Sequence, residues 1–223
     1  MIALVRFQIS GYLRSFRVLQ PLIVVLLLVS LVLLQGTDDA GLAAGALGDV
    51  PAFLFAIWAW TARALLDTQP DDQRALSALT TRRHAAAGLL AAYTVNLALG
   101  AVAAAVPLGQ AIATGVSGPA IASGVGLLLL VALAGTVLGA LTSRVLIPDP
   151  GISLITLITG VAAALLLSMS PLRWIAVPMV DWLRAAHDGP AELAAAFPGV
   201  ALHLAAWTAV LAALYLTLRR TRT

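Results

Sequence analysis

Two residues in this chain could form a hydrolytic pair. Ser117 sits in Gly115-Val116-Ser117-Gly118, and His203 lies far downstream in an apolar run. A serine hydroxyl attacks well only when a base such as imidazole takes its proton, so the two side chains would have to meet. Pro119 follows the motif directly, and so short a pattern recurs easily in a chain with 18 glycines. Composition excludes other chemistry. The basic residues are 13 arginines with no lysine, so the phosphate-cradling loop that ends in a lysine cannot be built. Without cysteine there is no thiolate metal ligand, disulfide or sulfur nucleophile. The net charge is +3 and the cations are scattered, which leaves no basic stripe for nucleic acid.

The densest charge lies in "DTQPDDQRALSALTTRRHAAAGLL", residues 67–90. Asp67, Asp71, Asp72, Arg74, Arg82 and Arg83 crowd together there, although the chain is 61% hydrophobic and only 10% charged. Gln69-Pro70 should break the helix before it. Asp71 can cap a new helix, and Asp72 suits the positive end of that helix. Leu76 and Leu79 then share one side, with Arg74, Ser77 and Thr81 on another. Thr80 or Thr81 can cap the next long helix. On this reading the loop is a short helix in the membrane plane that offers leucines and charges to a partner. The alternative is a solvated loop whose arginines only set orientation, and periodicity alone does not separate the two.

These residues must be positioned by apolar helices. Mean hydropathy is +1.00, and several apolar runs reach or approach the roughly 20 residues that cross ~30 Å of hydrocarbon. Six spans are expected, near 18–35, 49–66, 86–106, 121–143, 152–171 and 199–218, in one all-α transmembrane domain over residues 1–223. The first run is followed by Gln35-Gly36-Thr37-Asp38-Asp39, not by the small-x-small site of a cleaved signal. Arginine counts set the orientation. With a cytoplasmic N-terminus, Arg6, Arg14, Arg17, Arg63, Arg74, Arg82, Arg83, Arg144, Arg219, Arg220 and Arg222 lie inside, and only Arg173 and Arg184 lie outside. Both termini are then cytoplasmic, and loops 36–48, 107–120 and 172–198 face outward.

The flanking segments carry their own signals. Val5, Ile9, Tyr12 and Phe16 form one apolar stripe, with Arg6, Ser10, Arg14 and Arg17 roughly opposite, as in a helix lying in the membrane interface. Gln20-Pro21 is a natural elbow after it. In the long outer loop, Pro178 and Pro190 could each open a short helix, with Asp188-Gly189 between them. Its tryptophans also suit an aromatic belt. Thr156, Gly160 and Ala164 recur every four residues, as do Gly135 and Gly139, a spacing that lets helices or two chains approach closely. The polar groups Asn96, Thr156, Thr159, Ser168 and His203 are expected to hydrogen-bond between helices.

The layout resembles the membrane subunit of type-2 ABC exporters. "VRFQISGYLRSFRVLQP" corresponds to that family's interfacial elbow helix, and "DDQRALSALTTRRHAAAGLL" to the coupling helix between its second and third spans. "SPLRWIAVPMVDWLRAAHDGPAELAAAFPG" corresponds to two short outer helices before the sixth span. The family's frequent proline before the arginine pair is replaced here by Thr80-Thr81. The resemblance implies that the chain has no ATP site of its own. A separate ATPase subunit, present in two copies, would bind ATP and Mg and receive the loop in a groove. Asp71, Asp72, Arg74, Leu76, Leu79, Arg82 and Arg83 would form that contact. Two permease chains, identical or homologous, would pair in the cell membrane and extrude a hydrophobic or amphipathic substrate such as a peptide, lipid or drug.

A second resemblance is to rhomboid intramembrane proteases, which also have six spans. They use a G-x-S-G serine at the start of the fourth span and a histidine in the sixth, matched here by Ser117 and His203. The second-span histidine of that family is missing, because Ala92 stands four residues before Asn96.

Overall fold

The computed structural model describes residues 1–35, 39–69 and 84–220. Its elements are α-helices, with one 3-10 turn and no strand among the described residues. In chain order the helices are α1 (Ile2–Arg14), α2 (Leu19–Gln35), α3 (Ala40–Leu66), α4 (His84–Ala113), α5 (Gly118–Leu141), α6 (Pro150–Ser168), α7 (Met179–Asp188) and α8 (Pro190–Arg220). Five of them (α3, α4, α5, α6 and α8) are long and apolar enough to cross a membrane. α1 and α2 pass the same test only as a pair, bent by 78°.

The bend has a local cause. Phe16 adopts a φ of 57°, a left-handed conformation that ends a right-handed helix. The amide of Ser15 caps back onto the Gly11 carbonyl, and α2 then starts with Pro21 in its first turn, where a missing N–H costs nothing. α2 buries only a narrow stripe, Pro21, Val25, Leu28 and Val32. α1 turns Val5, Gln8 and Tyr12 into the protein, where they pack on α4. This corrects the expected stripe. Val5, Ile9 and Tyr12 serve internal packing, whereas Phe16 is 72% exposed in the turn. Burial pushes the Tyr12 phenol up to about 12, so it stays neutral under working conditions.

α3 is the central pillar and packs most extensively against α5, then against α4 and α7. It begins earlier than the expected span, because Asp39 accepts a bond from the Leu42 amide at 3.2 Å and caps it. Residues 43–48, expected in an outer loop, are therefore helical and buried. α4 likewise runs past its expected end through Pro107. It stops where Gly115, at φ 74°, closes a turn in which the Val116 amide reaches the Ala111 carbonyl at 2.9 Å.

Glycine decides how closely α5 meets α3. A Cβ on Gly139 would overlap the Ala59 carbonyl, and one on Gly135 would lie 2.9 Å from the Trp58 Cβ. Above this contact lies a polar knot. Trp58 Nε1 donates to the Asn96 carbonyl at 2.8 Å. Asn96 Nδ2 donates to the Trp58 carbonyl at 3.1 Å and to Thr136 Oγ1 at 2.9 Å. Asn96 thus ties α3, α4 and α5 together through its side-chain nitrogen and backbone carbonyl, while its Oδ1 is buried without a partner.

At one end α7 lies across α3. Pro178 precedes it and Gly189, at φ 125°, follows it. Trp182 is buried and donates to the Gly48 carbonyl at 3.2 Å, and His187 meets Asp49 at 2.9 Å. The long loop holds this one short α-helix plus a 3-10 turn at Arg173–Ile175. The second short helix expected at Pro190 is instead the first part of α8, which continues unbroken to Arg220.

Replacing Gly139 by Ala should force α5 away from α3 and cost about 1–3 kcal/mol, the usual penalty of overpacking. Gly109, whose Cβ would meet open space, is the control. In detergent, Gly139→Ala should lower the unfolding midpoint and Gly109→Ala should not; equal midpoints would show that α3 and α5 do not touch in this way.

Candidate functional site

The ends of α3, α5 and α8 and the starts of α4 and α6 meet at one end of the bundle. Most of the described arginines gather there, because α3 and α8 each place basic residues in their last turn. Arg63 reaches across to α6. Its Nε donates to Ser153 Oγ at 2.6 Å, and its Nη2 donates to the Pro150 carbonyl at 3.1 Å. The Ser153 hydroxyl in turn donates to the Thr142 carbonyl at 2.6 Å. Arg63 Nε also lies 3.8 Å from Asp67 Oδ2, with both side chains largely buried.

Asp67, at the end of α3, holds two other segments. Its Oδ1 accepts the Arg144 amide at 2.8 Å, fixing the turn between α5 and α6. Its backbone carbonyl accepts Arg17 Nη1 at 3.4 Å, at the bend between α1 and α2. A buried carboxylate is tolerable only with such partners. One aspartate therefore joins the α1–α2 bend, the end of α3 and the α5–α6 turn.

His84 opens α4 and holds the end of α8. Its Nδ1 lies 2.7 Å from Arg219 Nη2, and Arg219 Nη1 donates to the Tyr215 hydroxyl at 3.1 Å. A guanidinium has donors only, so Nδ1 accepts and this contact requires the neutral imidazole. Gly88, one turn on, lets Leu66 and Gln8 close over the same spot: a Cβ there would stand 2.9 Å from Leu66 Cδ2. Asp67 and His84 are thus the two roots of the charged segment between α3 and α4, and each is bonded to a different set of helix ends.

The residues expected to meet an ATPase (Asp71, Asp72, Arg74, Leu76, Leu79, Arg82 and Arg83) lie outside the described residues. Arg6 and Arg14 are exposed on α1, and Arg17 is exposed at the bend. On α6, Ala164 is buried, while Thr156 and Gly160 are half-buried. A Cβ on Gly160 would touch Leu138 at 3.4 Å, and Thr156 bonds back to its own helix. Ser168 joins α7 through the Val180 amide at 3.0 Å.

Ser117 and His203 are not brought together. Ser117 is exposed at the start of α5. Gly126 of α5 faces Phe197 of α8, and residues 130–137 line a groove with residues 205–212, so the two helices run parallel. That register places His203 about fourteen residues along α5 from Ser117, roughly 20 Å at the helical rise. His203 Nε2 is buried without a hydrogen-bond partner, contrary to the interhelical bond expected for it. Among the described residues no group of three His, Asp or Glu side chains is placed to hold a metal ion.

Sequence reasoning missed the Arg63–Ser153 and His84–Arg219 contacts. Arg63 and Arg219 counted only as orientation charges, and no local pattern links residues 90 or more positions apart. The available signal was their place in the last turn of a long helix, where a cation meets carbonyls and the ends of neighbouring helices.

No family model, curated protein or solved structure matches this chain.

The Arg63–Ser153 pair can be weighed by a double-mutant cycle. Arg63→Ala, Ser153→Ala and the double variant should give a coupling of about 1.5–3 kcal/mol in thermal unfolding, as for a hydrogen bond to a charged group. Additive effects would mean that α3 and α6 are not joined there.

Proposed function

We propose that this chain is the permease subunit of an ATP-driven exporter whose ATPase is a separate subunit. The observation that carries the reading is the anchoring of both roots of the charged segment. Asp67 is bonded to the α1–α2 bend and the α5–α6 turn, and His84 to the end of α8. A partner that moves this segment therefore pulls at once on the helix ends that carry those bonds.

The rest of the proposal follows from that lever. Leu76 and Leu79 seat in an apolar groove of the ATPase, and Arg74, Arg82 and Arg83 meet acidic groups at its rim. Asp71 and Asp72 start the short helix that presents them. Central apolar anchors with charges at the edge are the usual arrangement of an interface. ATP and Mg are bound by the partner, present in two copies. α1 is the interfacial elbow helix and α2 is the first of six spans. Both termini face the cytoplasm of a cell membrane, as the arginine distribution favours. Two permease chains, identical or homologous, face each other, and closure of the ATPases drives a hydrophobic or amphipathic substrate outward. The exposed apolar side chains of α2 and α6, including Leu27, Leu31, Ile155 and Ile158, suit lipid and a neighbouring chain.

The test is pull-down of the ATPase together with substrate-stimulated ATP hydrolysis in reconstituted membranes. Leu76→Asp combined with Leu79→Asp should weaken ATPase binding and stop coupled hydrolysis, because losing a central anchor costs about 2 kcal/mol or more. Arg74→Ala should do less, with an effect that shrinks as salt rises. A double Asp variant that binds and couples like wild type would reduce the segment to an orientation signal.

A further inference from the structure

A cavity of about 340 Å³ lies between α1, the end of α3, the start of α4 and the end of α8. Among the described residues its walls include Gln8, Arg14 and Arg219, with Phe7, Leu65 and Leu66 as apolar surface. No carboxylate lines it among those residues. Three observations point to a ligand.

The first is Gln8. It is 6% exposed, and its Oε1 is buried with no hydrogen-bond partner. A buried amide oxygen without a partner costs free energy, and rotation of the amide turns it toward the cavity, where a molecule that brings a donor would satisfy it. The second is charge. Arg14 makes no hydrogen bond or ion pair among the described residues, and Arg219 stands on the other side with its fork held by Tyr215 and His84. α4 adds the positive end of its dipole, with no acidic residue in its first turn. The third is position. The cavity sits where α3 and α8 end and α4 begins, and its apolar walls continue toward the exposed Phe7; the ends of membrane-spanning helices lie at the level of lipid headgroups. Its volume is roughly ten times that of one water in the liquid, enough for a headgroup.

We propose that this cavity binds the headgroup of an anionic phospholipid that carries hydroxyl groups, such as phosphatidylglycerol. The phosphate lies between Arg14 and Arg219, a headgroup hydroxyl donates to Gln8 Oε1 once the amide has rotated toward the cavity, and the glycerol ester end leaves along Phe7 and Leu65. A choline headgroup has a phosphate but no donor and leaves Gln8 unsatisfied. A soluble glycerol phosphate has the same polar groups but no acyl chains to hold it. This inference requires only that the chain lies in a membrane and does not rest on the exporter reading.

The experiment measures the unfolding midpoint of the delipidated full chain in detergent, and lipid retention by native mass spectrometry. The probes are phosphatidylglycerol, phosphatidylcholine and glycerol phosphate. Phosphatidylglycerol should raise the midpoint and be retained, and the other two should do neither. Arg14→Gln should weaken retention about tenfold, the loss expected for a charge-assisted hydrogen bond. Gln8→Leu should remove the preference for phosphatidylglycerol over phosphatidylcholine. Neither Gln8 nor Arg14 has a polar partner to lose, so both variants should match wild type when no lipid is added. Equal response to both lipids, or unchanged retention by either variant, would overturn the proposal. A glycerol phosphate response as large as that of the lipid would assign the cavity to a soluble phosphate and overturn it as a lipid site.

Discussion

α5 lies against α3 so closely that a Cβ on Gly139 would overlap the Ala59 carbonyl, and the other long helices take their places around that pair. Apolar burial alone gives little direction inside a bilayer, where lipid tails are as apolar as leucine. What gives direction is close backbone approach plus the obligation to bond every buried polar group. Gly135 and Gly139 supply the approach. Trp58, Asn96 and Thr136 supply the bonds, and they fix α4 at the same level. Gly100, whose Cβ would stand 2.8 Å from Trp58 Cζ2, admits the indole between the helices.

The same obligation explains the arginine-rich end. There the helices stop, and carbonyls, amides and side chains need partners that lipid cannot give. Arg63, Asp67, Ser153 and Arg144 satisfy one another across α3, the α5–α6 turn and α6. His84, Arg219 and Tyr215 do so across α4 and α8. On the proposed reading the two clusters are also mechanical links. They attach the segment between α3 and α4 to most of the bundle, which is the property a coupling element requires. Gln8 differs from other open buried atoms, such as Asn96 Oδ1 and His203 Nε2, because it lines a cavity that also holds two arginines.

Much of the architecture was legible in the sequence. Long apolar runs give the helices, and prolines and glycines mark several of the ends. Gly189 does separate α7 from α8, and the Gly135–Gly139 spacing does mark a close helix contact. Boundaries were less legible. Asp39 looked like part of an acidic loop but caps α3, and Pro107, expected in an outer loop, lies within α4. Proline is tolerated inside such helices when neighbours cover the freed carbonyl. The stripe on α1 was visible, but its partner was not: it faces α4, because periodicity shows which residues share a face and not what covers them. Contacts such as His84 with Arg219 depend on the register of helices distant in sequence, which no local pattern encodes.

On the proposed reading a separate ATPase drives this chain through the segment rooted at Asp67 and His84. The most direct test is purification of the chain from its native membrane in mild detergent, with identification of every stoichiometric companion. A nucleotide-binding ATPase subunit should co-purify, and it should leave the complex when Leu76 and Leu79 are changed to Asp. Recovery of the chain with no ATPase, in a preparation that cleaves membrane peptides and loses that activity on Ser117→Ala, would contradict it.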